Sequence, residues 1–142
     1  MYLLDTNIVS EARKRERANP GVSRFFAEAI ESGQGLFLSA ISVGELRRCV
    51  ALIHHRGDAA QAQLLATWLD DLLAEYADCI LDFDRAAAQL WGHLRVPDAS
   101  HAIDKQIAAI ALLYDLTVVT RNAPDFAGTG VRVLNPFEEN AG

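Results

Sequence analysis

The chain has 142 residues, of which 51% are hydrophobic and 23% are charged, and its formal net charge is −6. These values are typical of one globular domain, predicted over residues 1–142, and no apolar run approaches the roughly 18 residues of a membrane span. The acidic charge argues against a general affinity for nucleic acid, which normally shows a basic footprint.

The N-terminus has no basic segment followed by an apolar stretch, so nothing in it indicates secretion. Cys49 and Cys79 are isolated thiols in apolar surroundings, without a CxxC motif or the spacing of metal ligands. We therefore expect both cysteines to be reduced core residues of a cytoplasmic protein that has no membrane partner.

In chain order, short apolar runs alternate with segments of helical periodicity. Strands are predicted at residues 2–5, 36–39, 79–81, 116–120 and 131–134. Helices are predicted at residues 6–17, 20–30, 42–55, 58–76 and 84–94, and in the segment that contains Asp104. This alternation predicts an α/β fold in which helices cover both sides of a parallel sheet.

Two consecutive helices between the second and third strands depart from the strict alternation and suggest a protruding or interface element. The apolar face predicted for the second of them consists of Leu64, Leu65, Trp68, Leu72 and Leu73.

Three acidic residues stand at equivalent junctions of the predicted elements. Asp5 ends the first strand, Glu45 is expected in the first turn of the helix after the second strand, and Asp104 in the first turn of the helix before the fourth. Because parallel neighbouring strands end at one edge of a sheet, these carboxylates are expected there together. Carboxylates without His or Cys favour Mg²⁺ or Mn²⁺ over Zn²⁺.

Each acid also has an ordinary structural interpretation. Asp5 suits a helix N-cap, Ser42 and Glu45 match the capping-box pattern, and Asp104 suits the dipole of its helix. However, three carboxylates about 5 Å apart repel by roughly 3 kcal/mol per pair at an effective dielectric constant near 20. A cluster of this kind requires a cation, raised pKa values, or both.

Four segments in a fixed order carry a family resemblance. They are residues 4–7 (LDTN), 39–46 (SAISVGEL), 104–109 (DKQIAA) and 119–126 (VTRNAPDF), followed by the closing stretch 128–137. In this order and spacing the chain resembles the PIN-domain ribonucleases, and among them the VapC-type toxins of bacterial toxin–antitoxin pairs, especially the FitB-like subgroup. The resemblance covers nearly the whole chain.

The resemblance implies a three-layer α/β/α sandwich with a mainly parallel sheet of about four to five strands. It implies the toxin component of a type II toxin–antitoxin system, a Mg²⁺-dependent endoribonuclease, with Mn²⁺ as a substitute cation, that hydrolyses RNA phosphodiester bonds with a metal-activated water. The implied partners are a small cognate antitoxin, the RNA substrate, a second copy in a homodimer or higher antitoxin assembly, and operator DNA reached only through the antitoxin.

The resemblance also assigns roles to individual residues. Asp5, Glu45 and Asp104 become the acidic core, in which Asp5 and Asp104 ligate the metal and Glu45 orients or deprotonates the water. Thr6 is expected to turn its hydroxyl towards the metal site. Asn122 stands where the family often has a fourth acid, and Asp125, three residues further on, is expected to compensate in part. One metal ion is therefore expected, and the absence of His from the four segments agrees with a metal-dependent route.

Basic residues are the candidates for contacts with the RNA phosphates. Arg13, Lys14 and Arg15 belong to the densest basic run, which equally suits a solvated helix end. Arg121 flanks Asn122 and could bind a phosphate through both arms of its guanidinium group.

Two other classes of protein remain open alternatives. A catalytically silent PIN-fold binding module is compatible with Asn122, although a module without catalysis has no evident reason to keep three clustered acids. A phosphoacceptor receiver domain is also α/β, but it needs a paired acid early in the chain and a late Lys after a strand. Here Thr6 and Asn7 follow the early acid, and Arg121 stands where the Lys would be.

Overall fold

The structure is a computed structural model that describes residues 1–139, so the last three residues of the predicted 1–142 domain lie outside the described part. Five parallel strands form one sheet in the order β3-β2-β1-β4-β5. The strands are β1 (Tyr2–Leu4), β2 (Leu36–Ser39), β3 (Ile80–Leu81), β4 (Thr117–Val119) and β5 (Val133–Leu134). The predicted α/β class and parallel sheet are confirmed.

Six α-helices connect and cover the strands. They are α1 (Thr6–Ala12), α2 (Pro20–Glu31), α3 (Ala40–His55), α4 (Ala59–Glu75), α5 (Arg85–Leu94) and α6 (Ala102–Leu113). Short 3₁₀ turns occur at Arg15–Arg17, Ala77–Cys79 and Ala123–Phe126. Among the helices of residues 1–139, none combines the length and the apolar content that crossing a membrane demands.

Neighbouring side chains of the central strands point into two separate cores, because successive residues of a strand face opposite sides of the sheet. Leu3 and Val118 belong to a core beneath α5 and α6. Leu4 and Val119 belong to a second core beneath α1 to α4. All four side chains are fully buried. Burial on both faces explains why these strands are continuous apolar runs and not alternating ones.

The strand order places a switch point at the centre of the sheet. From β1 the chain moves outward to β2 and β3, then returns to the other side of β1 for β4 and β5. Leu4 of β1 is in register with Val119 of β4, so Asp5 and Thr120 leave the sheet side by side. Ligand sites of open α/β sheets lie at such a point, outside the carboxyl ends of the strands.

Two predicted helix limits are wrong at positions that matter for the site. The helix α1 ends at Ala12 instead of continuing to residue 17, and Arg15 adopts a left-handed conformation with φ of 54°. The helix α3 begins at Ala40, where the Ser39 side chain accepts a hydrogen bond from the Ser42 N–H at 3.0 Å. Ser39 is therefore the N-cap, the predicted capping box of Ser42 with Glu45 is wrong, and Glu45 lies in the second turn.

Two expectations about apolar residues are also wrong. On α4, Leu64 was expected on the buried face, but it is 69% exposed, whereas Leu69 is fully buried. Apolar residues occur on more than one side of α4, so periodicity alone does not define which of them face the core. Cys49 is exposed and Cys79 is half-buried, so neither thiol is a fully buried core residue.

Candidate active site

Asp5 is the buried acid at the centre of the sheet edge. It follows β1 directly, is 5% exposed, and caps α1 because its Oδ1 accepts a hydrogen bond from the Thr6 N–H at 2.8 Å. Its Oδ2 accepts a hydrogen bond from the Thr120 hydroxyl at 2.8 Å and a longer one from the Asn7 amide at 3.4 Å. A carboxylate has about four lone-pair sites, so Asp5 retains acceptor capacity on Oδ1 for a further ligand.

Thr120 and Asn7 hold Asp5 in place. The Thr120 hydroxyl, fully buried, also accepts hydrogen bonds from the Asn7 amide at 3.2 Å and from the Asn122 N–H at 3.0 Å. The Asn7 carbonyl oxygen accepts a hydrogen bond from the Arg121 N–H at 3.0 Å. These bonds join the segment after β1 to the segment after β4. Because most donors and acceptors of these side chains are used within the network, the network fixes the orientation of the Asp5 carboxylate.

Asp104 lies near Asp5 in the first turn of α6, with 29% of its side chain exposed. Burial raises the pKa of the Asp104 carboxyl, and the negative charges of Asp5 and Asp125 raise this pKa further, while His101 acts in the opposite direction. The raised pKa means that the surroundings of Asp104 disfavour its negative charge. Asp5 and Asp125 are therefore close enough to Asp104 for their charges to act on it. In residues 1–139, the potential ligand atoms that lie within 4.8 Å of one another come from Asp104, Asp125 and His101, and not from Asp5 or Glu45.

His101 completes a compact group with two of these acids. Its Nδ1 lies 3.6 Å from Oδ2 of Asp104 and 3.9 Å from Oδ1 of Asp125. One potential ligand atom from each of the three residues lies within 4.8 Å of the other two. Asp125 belongs to the 3₁₀ turn Ala123–Phe126, which follows β4 and turns its carboxylate towards α6.

Glu45 is held much more loosely than the other acids. It is half-buried on α3, a helix that packs against α6. Within residues 1–139 its carboxylate accepts no hydrogen bond, and its charge is not among the causes of the raised pKa of Asp104. The structure therefore places Glu45 on a helix that packs against α6, but it does not bring its carboxylate into the group formed by Asp104, Asp125 and His101.

Thr6 and Asn122 contribute to the site through their backbone N–H groups. Thr6 donates its N–H to Asp5, and Asn122 donates its N–H to the Thr120 hydroxyl. Asn122 is exposed, and no side-chain hydrogen bond of its amide occurs in the described part of the chain. The direction proposed for the Thr6 hydroxyl, towards a metal, stays a prediction.

The predicted basic residues lie in two different places. Arg13 stacks 5.9 Å from the ring centre of Trp68, and Lys14 forms an ion pair with Glu11 at 2.9 Å. Arg13 and Arg15 border a cavity of about 500 Å³ that apolar side chains of α1, α2 and α4 line. Arg121 instead lies at the sheet edge beside Asn122, with its guanidinium 4.8 Å from the ring centre of Phe137.

Three residues of the site were missed by the sequence interpretation. Thr120 is the first polar residue after the apolar strand β4, so the reasoning that selected Asp5 after β1 could have selected it. Asn7 lies two residues after Asp5. His101 lies outside the four motif segments, but its spacing of three residues from Asp104 puts both on one side of a helical turn.

The donor set is compatible with a hard divalent cation. Asp5, Asp104 and Asp125 offer carboxylate oxygens, which Mg²⁺ and Mn²⁺ prefer, and burial and the neighbouring acids raise the pKa of Asp104. Bound cations of this charge would favour the ionised form of each acid. The residues present therefore fit the metal that the family resemblance implies.

The acidic residues at the switch point lie where open parallel α/β sheets bind their ligands, which defines the class of protein to which this fold and site belong. The family model described as "PIN domain" matches residues 2–129. The chain belongs to the PIN-domain family, and the resemblance to this family is confirmed.

Individual relatives cover the chain almost completely. It is 34% identical to Toxin FitB of Neisseria gonorrhoeae, over 98% of this chain and 100% of the relative. It is 32% identical to VapC ribonuclease Y4jK of Sinorhizobium fredii, over 97% of this chain and 99% of the relative. Among solved structures, FitAB bound to an IR36 DNA fragment superposes with a TM-score of 0.82 at 32% identity, over 99% of each chain.

Proposed function

We propose that this protein is the toxin of a type II toxin–antitoxin pair and that it is a Mg²⁺-dependent endoribonuclease. The observation that carries the proposal is the position of Asp5, Asp104 and Asp125 at the switch point of the sheet, where burial, and then the charges of Asp5 and Asp125, raise the pKa of Asp104. A relative named as a toxin and another named as a ribonuclease, both matched over nearly their full length, support the same reading.

The chemistry follows from what each side chain can do. A divalent cation, when bound, polarises a phosphoryl oxygen, lowers the pKa of water and stabilises the charge that develops on the phosphate. Asp5 and Asp104 are its proposed protein ligands, and Asp125 supplies the negative charge that Asn122 lacks. Thr120 and Asn7 keep Asp5 in one orientation, so little reorganisation is needed when a ligand binds.

Glu45 is the proposed group that handles the attacking water. Its carboxylate is half-buried and without a hydrogen-bond partner in residues 1–139, so it is available to accept the proton of a water molecule aligned with phosphorus. The family resemblance implies that the 3′ oxygen is the leaving group. Water would then form the new bond to phosphorus as the bond from phosphorus to the 3′ oxygen breaks, and protonation of that oxygen would give a 5′-phosphate and a 3′-hydroxyl. Arg121, at the same sheet edge, is the proposed contact for a neighbouring RNA phosphate.

The proposed partners are a small antitoxin, a second copy of the chain, and operator DNA reached through the antitoxin. The FitAB complex on a DNA fragment supports this arrangement. The 500 Å³ cavity between α1, α2 and α4 offers Phe26, Trp68 and Leu72 to an apolar side chain, and Arg13 and Arg15 to an acidic one. It is the proposed place for an antitoxin segment of mixed apolar and acidic character.

The test is cleavage of a mixed-sequence RNA by purified, partner-free protein in Mg²⁺, in Mn²⁺ and in EDTA. We expect metal-dependent cleavage that Asp5→Ala abolishes. Asp115→Ala is the matched control, because Asp115 is 88% exposed beside the amino end of β4. Calorimetric titration with Mg²⁺ accompanies the assay.

Two results would separate the candidates. Metal binding that Asp5→Ala abolishes, without cleavage of the mixed RNA, would direct the search to a narrow RNA target. Neither cleavage nor metal binding would contradict the proposal and favour the catalytically silent binding module, for which the exposed Asn122 in place of a fourth acid is the supporting observation.

A further inference from the structure

His101 lies outside every segment that carries the family resemblance, yet it is next to the acidic cluster. Its Nδ1 is 3.6 Å from Asp104 and 3.9 Å from Asp125, and 49% of its side chain is exposed. These three residues come from the start of α6 and from the turn after β4, so the meeting is made by the fold and not by proximity in sequence alone. The imidazole thus adds a nitrogen donor to a site otherwise built from oxygen.

The backbone of His101 is held in an unusual conformation. Its φ of 54° and ψ of 44° are left-handed, which costs a residue with a side chain about 1–2 kcal/mol, although His, like Asn and Asp, adopts this conformation more often than other non-glycine residues. His101 occupies the N-cap position of α6, but its side chain makes no capping hydrogen bond. The imidazole faces the two acids, although a Ser or Asp at this position would cap the helix better.

Neighbouring contacts fix the segment that carries His101. The Trp91 indole N–H donates to the carbonyl of Ala102 at 2.9 Å, which anchors the first residue of α6 on α5. The buried Lys105 ammonium donates to the carbonyl of Asp98, and the Ser100 N–H donates to the Asp98 carboxylate at 2.9 Å. Hydrogen bonds on both sides of His101 therefore fix the position of the backbone that carries the imidazole.

The separations of the three donors are close to those around one ion. Two ligands at about 2.1 Å from a cation are about 3.0 Å apart at a right angle and about 3.4 Å apart at a tetrahedral angle. The observed 3.6 and 3.9 Å exceed the tetrahedral value by about 0.2 and 0.5 Å, and the right-angle value by about 0.6 and 0.9 Å. Small rotations of His101 and Asp125, with side chains 49% and 38% exposed, would close the gap.

Ligand chemistry then decides which cation benefits. Mg²⁺ prefers carboxylates and water, whereas the divalent first-row transition ions gain affinity when a nitrogen ligand joins the oxygen ligands. Mn²⁺ accepts both kinds of donor and resembles Mg²⁺ in its octahedral oxygen sites.

We propose that His101 is a nitrogen ligand of the metal centre and that it makes the centre prefer Mn²⁺ over Mg²⁺. The inference rests on the proposed function only in assuming a metal at this cluster. It differs from the expectation of an oxygen-only Mg²⁺ site, because that expectation considered only acids in the four motif segments.

The test uses Mn²⁺ as the probe on the full chain and needs no RNA. Pulsed electron paramagnetic resonance detects the ¹⁴N coupling of a coordinated imidazole, and titrations give Kd values for Mn²⁺ and Mg²⁺. We expect a ¹⁴N signal in the wild type that His101→Gln removes, with Mn²⁺ affinity at least about tenfold weaker and Mg²⁺ affinity changed less than about twofold. A loss of that size is the lower end of what changes around a metal site produce.

Two further variants make the result specific. His93→Gln, which alters an exposed histidine on α5, should keep the ¹⁴N signal and both affinities. His101→Gly suits the left-handed backbone, so it should remain folded and still lose the signal.

Mn²⁺ that binds without a ¹⁴N signal, or a signal that survives both His101 variants, would overturn the inference while leaving the proposed nuclease intact. No Mn²⁺ or Mg²⁺ binding to the wild type would overturn both proposals together.

Discussion

The two sides of the candidate site differ in how firmly their acids are held. On the side of β1 and β4, Asp5 is buried and accepts hydrogen bonds from Thr6, Asn7 and Thr120. On the side of β2 and α3, Glu45 has a longer side chain, is half-buried and accepts no hydrogen bond in the part of the chain that the structure describes.

This difference shows how two carboxylates of similar chemistry can suit the two different roles proposed for Asp5 and Glu45. A ligand must be in place before the cation arrives, because reorientation of dipoles after binding costs free energy. A group that handles water must instead follow the substrate, and an unbonded glutamate with three rotatable bonds can do so. In residues 1–139, hydrogen bonds hold the Asp5 carboxylate, and none holds that of Glu45.

The largest effect is expected for a change in Glu45, the acid that is not hydrogen-bonded in residues 1–139. Glu45→Gln keeps the size of the side chain but removes its basicity, so cleavage should fall about 10²–10⁴-fold, as for loss of a general base. Because Glu45 is not hydrogen-bonded in residues 1–139, the melting temperature in EDTA should change by less than about 1 °C. The measurements are single-turnover cleavage and thermal unfolding.

A large loss of stability in Glu45→Gln would contradict the division between the two sides. Glu75→Gln serves as the control, because Glu75 ends α4 and borders the apolar cavity away from the acids.

The next largest effect is expected for a change in the hydrogen bonds that hold Asp5. Thr120→Val removes a fully buried hydroxyl that donates to Asp5 and accepts from Asn122, which leaves those groups with unmade bonds. The free energy of unfolding should fall by about 1–3 kcal/mol, and the melting temperature by about 3–10 °C. Mg²⁺ affinity should weaken as well, because the Asp5 carboxylate loses its orientation.

Thr117→Val on the same strand is the matched control, since Thr117 is only half-buried and its hydroxyl accepts a longer bond from Arg132 at 3.3 Å. Equal destabilisation by the two variants would argue that Thr120 has no special role.

A third, smaller effect has the opposite sign. The raised pKa of Asp104 means that the folded state holds its proton more tightly than the unfolded state does. Stability is therefore lost as pH rises from the ordinary value of 3.8 through the folded-state pKa, and the penalty is complete at neutral pH. Asp104→Asn, which cannot ionise, should therefore raise the melting temperature in EDTA at pH 7.

The gain in Asp104→Asn should shrink as pH falls through the acid range, because wild-type Asp104 becomes neutral there too. Thermal unfolding of both proteins from pH 7 down to pH 4 checks the slope. A gain that does not depend on pH would point to packing and not to relieved charge repulsion. Excess Mg²⁺ should reverse the order of stability, since only the wild type binds it well.

The smallest effect concerns the RNA. Arg121→Ala should lower the affinity for single-stranded RNA and reduce the slope of log affinity against log salt by about 0.7, the loss of one phosphate contact. Arg132→Ala is the control, because Arg132 pairs with Asp115 at 3.0 Å, beside the amino end of β4. An equal change of slope in the two variants would remove Arg121 from the proposed RNA contact.

Much of the fold could be predicted because apolar runs and helical periodicity report burial directly. The apolar runs predicted the five strands and their alternation with helices predicted a parallel sheet, but the order of the strands was not predicted. That Asp5 lies near Asp104 follows from the rule that parallel strands end at one edge of a sheet. The helix limits were less predictable, since Ser39 and Ser42 are both good caps and only the three-dimensional path selects one.

The rest of the site depends on tertiary meetings that sequence spacing does not encode. Thr120 reaches Asp5 across 115 positions, and Asp125 turns towards α6 through a 3₁₀ turn. His101 was overlooked because its left-handed backbone, which aims the imidazole, is not apparent from residue types. Side-chain orientation at loops was the missing information.

The double duty of Asp5 bears on how such a protein can change over generations. One carboxylate both caps α1 and belongs to the proposed metal site. Most replacements at position 5 would therefore abolish the proposed activity and destabilise the domain at the same time. Replacements at Glu45 would abolish that activity while leaving the shape that a partner recognises. A relative that keeps partner binding after losing the proposed activity should therefore have a substitution at position 45 and retain Asp5.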